Sequence, residues 1–137
     1  MKVRFTSHDL AELDPPRELT AHERSVLRAL VSATPDAASA LCQINHALVL
    51  AECAQGCGTV ELAPVSPKVC PRLKRENGPL AEGEWRSGQA SAQTVLLHVE
   101  AGMLDYLETY RHDGQEEPLR RAQWLTQTFH YLARINP

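Results

Sequence analysis

The stretch Gln93–His112, QTVLLHVEAGMLDYLETYRH, decides the fold. Val95, Leu97 and Val99 alternate with Leu96, His98 and Glu100, which is the period of two of an extended chain. Ala101-Gly102 interrupts the run, and glycine accepts the positive φ that a tight hairpin turn demands. The return leg is less regular. Leu104, Tyr106 and Tyr110 fall on one face, and Met103, Leu107 and Thr109 on the other. A bulge near Asp105 would turn both Leu104 and Leu107 inward. A helix over Met103–Tyr110 is the rival reading, because Met103, Leu104, Leu107 and Tyr110 also suit helical spacing. The clustered β-branched and aromatic residues and the glycine at the turn favour two paired strands.

Working outward, the next clear signals are helical. Thr20-Ala-His-Glu23 has the form of a capping box, followed by the apolar stripe Val26, Leu27, Leu30 and Val31. Thr34-Pro35-Asp36 restarts the chain with a cap residue, a proline suited to a first helical position and an acid at the positive helix end. A second helix from Pro35 to about Asn45 is expected to bury Leu41 and Ile44. Before these helices, Met1–Phe5 reads as an edge strand or an arm, and Leu13-Asp14-Pro15-Pro16 as a break. After them, His46–Cys53 and Thr59–Ala63 read as a second hairpin about Gln55-Gly56-Cys57-Gly58. Residues 64–91 form a long connection rich in proline and basic residues, with a strand over Leu80–Arg86. Pro118 opens an expected last helix carrying Leu119, Ala122, Leu125, Phe129 and Leu132.

These elements imply one α+β domain over residues 1–137: two N-terminal helices, an antiparallel sheet of about four to five strands, and a C-terminal helix. Helices on one face leave the other for solvent or a partner. The 137 residues are enough to bury a core. A net charge of −3 and 5% aromatic residues argue against a dedicated nucleic-acid binder, which needs concentrated cations or stacking platforms. No apolar run is long enough to cross a bilayer, and the opening MKVRFTSHDL lacks the apolar core of a signal peptide. The expected compartment is the cytoplasm, with the four cysteines reduced.

Cys53 and Cys57 stand four apart across a glycine turn, with Cys70 and His46 near in sequence. Thiolates and imidazole are zinc ligands, so these four make a candidate metal set, weighed against reduced thiols at a hairpin end. Cys42 reads as a small core residue. His98 with Glu100, and His112 with Asp113, have the composition of a general base and its acid, but no nucleophile sits in a recognisable elbow, so no enzyme is expected. Glu100, Asp105, Glu108, Asp113, Glu116 and Glu117 crowd the late hairpin and its exit. Such acids suit a basic protein surface, unless Lys68, Arg72, Lys74 and Arg75 neutralise them within the chain. Those four cations also offer nucleic acid a contact if zinc stabilises the domain as an adaptor.

Leu19–Val31, LTAHERSVLRALV, resembles the opening helix of helix-turn-helix regulators of the LuxR type. Ser32–Asn45 then departs from that family, being rich in alanine and carrying no Lys or Arg for a recognition helix. Leu19–Leu30, Glu52–Leu62 (ECAQGCGTVEL) and Val95–Tyr110 together resemble a group of small uncharacterised bacterial proteins best represented in actinomycetes. Gly102, Leu104, Leu107, Glu108 and Tyr110 keep that group's late-hairpin pattern, while Gln55-Gly56-Cys57-Gly58 alters its Cys-Gly-Cys turn. The late hairpin is also similar to those of small α+β immunity proteins, which neutralise a bacterial toxin. This likeness and the acidic hairpin imply a non-enzymatic protein-binding protein that inhibits a toxin with a basic surface. Glu100, Asp105, Tyr106, Glu108 and Tyr110 are the expected contact residues.

Overall fold

The structure, a computed structural model, describes residues 10–32, 34–54, 58–85, 93–111 and 128–131. Its elements run β1 (Leu10–Glu18), α1 (Ala21–Val31), α2 (Ala37–His46), β2 (Leu48–Cys53), β3 (Val60–Leu62), β4 (Asn77–Trp85), β5 (Gln93–Glu100), β6 (Met103–Arg111) and β7 (Thr128–Tyr131). Every strand pairing is antiparallel, and the seven strands lie in the order β1-β2-β3-β6-β5-β4-β7.

Met103–Arg111 is a strand and not a helix. Glu100 pairs with Met103, leaving Ala101 and Gly102 as a two-residue turn with φ of 52° and 77°. Two positive φ values match the right-handed twist of the flanking strands. The ladder shifts register between His98, opposite Tyr106, and Val99, opposite Leu104. Asp105 is the extra residue of this bulge, so Leu104 and Leu107 both enter the core, with Leu107 opposite Leu97. Here the bulge expected from the alternation is present.

Both helices pack on the face bearing Val95, Leu97, Val99 and Leu107, and one apolar cluster joins them through Leu27, Leu30 and Ile44. The capping box forms as expected: Glu23 N–H donates to Thr20 Oγ1 (3.0 Å) and Thr20 N–H to Glu23 Oε1 (2.9 Å). Arg17 then grips the same carboxylate with both terminal nitrogens (2.9 and 3.0 Å), while its Nε reaches Glu52 (3.0 Å). One guanidinium thereby ties β1, the start of α1 and β2 together. The hydrogen bond to Glu23 above all raises its pKa above the usual arginine value, so it stays charged.

Several expectations need correction. The sheet has more strands than the expected four to five, because β1 and β7 form its edges. β1 runs through Pro15-Pro16, where a break was expected. Only residues on either side of the prolines are in register with β2, and an edge strand tolerates the missing donors. The expected C-terminal helix is replaced over Thr128–Tyr131 by a strand that caps β4. Phe129 and His130 pair with Gly83 and Glu82, and Thr, Phe and Tyr are residue types of high strand propensity. The rest of that expected helix, and Met1–Phe5, lie outside the described residues. α2 begins at Ala37 and not at Pro35. Thr34 Oγ1 donates to Val31 O (2.8 Å) at the end of α1 instead of capping α2, and Asp36 accepts from Lys74 N–H (2.6 Å). Ile44 is buried as expected, whereas Leu41 is exposed.

The connection 63–76 carries the chain from β3 across the tip of the late hairpin to β4. Leu73 N–H donates to Gly102 O (2.8 Å), and Gly102 N–H to Glu76 O (2.9 Å). A Cβ at Gly102 would lie 2.8 Å from Arg72 Cβ, so this position needs glycine for space as well as for φ. Gln43, fully buried on α2, locks the junction. Its amide nitrogen donates to Pro71 O (3.1 Å) and Gly102 O (3.2 Å), and its oxygen accepts from Leu104 N–H (2.8 Å) beside the bulge.

Candidate functional site

The sheet face opposite the helices gathers a polar group around His98. Pairing across β5 and β6 sets His98 opposite Tyr106 and Leu96 opposite Glu108. The rings of His98 and Tyr106 stack, with centroids 4.1 Å apart and planes within 4°. His98 Nε2 lies 3.2 Å from Glu108 Oε1, and the two side chains are 16% and 18% exposed. Glu61 on β3 is opposite Tyr106; on β4, Pro79 is opposite His98 and Glu82 is opposite Leu96, the partner of Glu108. His98 was expected to face Glu100. Its acid comes instead from the next strand, because a cross-strand neighbour is closer than a residue two along the same strand.

Of the five expected contact residues, Asp105 is set apart by its burial. Tyr106 and Glu108 share the face just described. Glu100 is exposed at the hairpin turn. Asp105 is buried at the bulge. Tyr110 continues β6 opposite Thr94, and its side chain is outside the described residues, as is His112.

The expected metal set divides. Cys53 is buried on β2, and Cys57 lies outside the described residues. Cys70 and His46 do come together, but with Cys42, whose sequence context suggests only core packing. Cys42 and Cys70 form a disulfide with Cα atoms 5.7 Å apart, so these two are not the reduced thiols expected. Among the described residues, this is the group of three whose ligand atoms lie within 4.8 Å of one another.

The basic connection has a defined place. Arg75 donates to Pro79 O (3.0 Å), and Arg72 and Lys74 line an open groove of about 590 Å³ with Leu73, Glu76, Asn77 and the Ala101-Gly102 turn. Glu76 stands among these cations, so the groove is of mixed charge. Among the described residues, no helix is long and apolar enough to cross a membrane. Comparison with protein-family models, with curated proteins and with solved structures returns no match.

Proposed function

We propose that this chain is a non-enzymatic protein-binding domain of the immunity type, which inhibits a partner protein, a toxin with a basic surface, by docking it on the sheet face that bears Tyr106 and Glu108. The observation that carries this reading is the half-buried His98–Tyr106–Glu108 group. A stacked tyrosine loses little rotamer freedom on binding, and it presents both apolar area and a polar tip. Glu108, Glu61 and Glu82 supply a field that steers a basic surface toward it. The helices lie on the other face and hold the strands rigid, which favours docking without rearrangement.

A cytoplasmic site of action belongs to this reading. It requires the Cys42–Cys70 pair to tolerate reduction, because cytosolic thiol pools keep ordinary disulfides open. The test is co-expression with the product of a neighbouring gene, followed by binding measurements on the co-purified pair. Tyr106→Ser and Glu108→Lys should each weaken binding at least about tenfold, and rising salt should slow association. Binding that survives both substitutions unchanged would remove this face from the interface.

A further inference from the structure

Three ligating side chains separated by up to 28 positions meet where the 63–76 connection passes the C-terminal half of α2. Cys42 and His46 are four apart on the helix and therefore on one side of it. Cys70 arrives on the connection, fully buried. His46 Nδ1 lies 3.7 Å from Cys70 Sγ. Bonds that do not involve sulfur hold the connection in place: Cys70 N–H to Ser66 O (3.1 Å), Gln43 to Pro71 O (3.1 Å) and Lys74 N–H to Asp36 (2.6 Å). Opening the disulfide thus leaves two thiols and an imidazole facing one another on a fixed frame.

We propose that the reduced protein binds one Zn2+ at Cys42, His46 and Cys70, so that disulfide and metal are alternative states of one site. A dithiol reductant opens the site. Its two sulfurs close into a disulfide as two electrons and two protons pass to the protein, and the Cys42–Cys70 bond becomes two thiols. Zinc then displaces one proton from each thiol and binds the two thiolates. His46 binds as neutral imidazole through Nδ1 with its proton on Nε2, giving up the 3.0 Å contact in which Nδ1–H donates to Cys42 O.

A tetrahedral zinc with bonds of about 2.3 Å to sulfur and about 2.0 Å to nitrogen holds its ligand atoms roughly 3.5–3.8 Å apart. The His46–Cys70 separation of 3.7 Å already falls in that range. His46 is exposed, which gives the ion a path in and leaves water the fourth position. This set shares only Cys70 and His46 with the one read from sequence spacing, and it stands independently of the docking proposal.

The test uses the full chain, reduced with dithiothreitol, freed of it without air and dialysed against Zn2+. Elemental analysis should find one zinc per chain in the reduced protein and none in the oxidised protein. A pH indicator should register about two protons released per zinc. Cys70→Ser and His46→Ala should weaken binding at least about tenfold in competition with a chromophoric chelator, while the double variant Cys53→Ser/Cys57→Ser keeps the stoichiometry. Unfolded thiols also take up zinc, so melting is followed by circular dichroism. At one zinc concentration, the midpoint of the reduced protein should rise by more than that of reduced His46→Ala. Equal zinc in the oxidised protein, binding lost only in the Cys53/Cys57 double variant, or a reduced chain that zinc leaves unfolded would each overturn the proposal.

Discussion

Gln43→Leu should destabilise the domain by about 2–4 kcal/mol. The figure comes from the three bonds that the Gln43 amide makes. Leu104 N–H points at Gln43 Oε1 from the bulge, where the ladder is interrupted, and the bond is buried. Losing the partner of a buried donor costs about 1–3 kcal/mol. Gly102 O keeps its bond from Leu73 N–H, and Pro71 O is only partly buried, so each of these adds about 1 kcal/mol or less. The similar volume of leucine keeps the packing loss small. Urea unfolding of the oxidised protein, followed by tryptophan fluorescence and circular dichroism together, measures the change, with Ser39→Ala on the same helix as control. A midpoint shift worth less than about 0.5 kcal/mol would refute the reasoning and mean that water or a shifted backbone satisfies Leu104. Gln43→Glu adds a sign. A carboxylate facing two carbonyl oxygens in a buried site has its pKa raised above the unfolded value of about 4.3. The folded state then holds the extra proton, so this variant loses stability as pH rises from about 4.3 through the raised pKa.

Further perturbations bear on other parts of the molecule. Gly102→Ala should cost about 2–3 kcal/mol, because it combines a φ of 77° with a Cβ placed 2.8 Å from Arg72 Cβ, and thermal melting reads it. Arg17→Lys loses the two-pronged grip on Glu23 and should lower stability by about 1 kcal/mol, a modest figure because the arginine side chain is 32% exposed; denaturant titration measures it. Cys42→Ser should lower stability by about 3–4 kcal/mol, the loop-entropy value for a closure of 28 positions, provided oxidised wild type is the reference.

The late hairpin was legible because its information is local. Alternation set the faces of Val95–Glu100, Ala101-Gly102 set the turn, and the mismatch of Leu104 with Leu107 called for the bulge at Asp105. The capping box at Thr20 and Glu23 was legible for the same reason. What escaped depends on partners distant in sequence. Gln43 meets residues 59 and 61 positions away, and nothing in its neighbourhood signals that. Cys42 looked like packing until the connection delivered Cys70. Thr34 resembled a cap, but its hydroxyl found the last turn of α1 instead. Prolines 15 and 16 read as a break because local rules describe central strands, and an edge strand escapes them. Tyr106 and Glu108 both meet His98, whereas sequence alone sets His98 beside Glu100, because a same-strand neighbour is easier to see than a cross-strand one.

The most direct measurement is the affinity of a co-purified basic partner for three forms of the protein: wild type, Glu108→Lys on the sheet face, and Glu18→Lys on the edge strand. Docking on the face that carries Tyr106 requires the first substitution to weaken binding at least about tenfold, and to flatten its salt dependence, with the second close to wild type. Equal affinities for all three, or a loss confined to Glu18→Lys, would place the partner elsewhere.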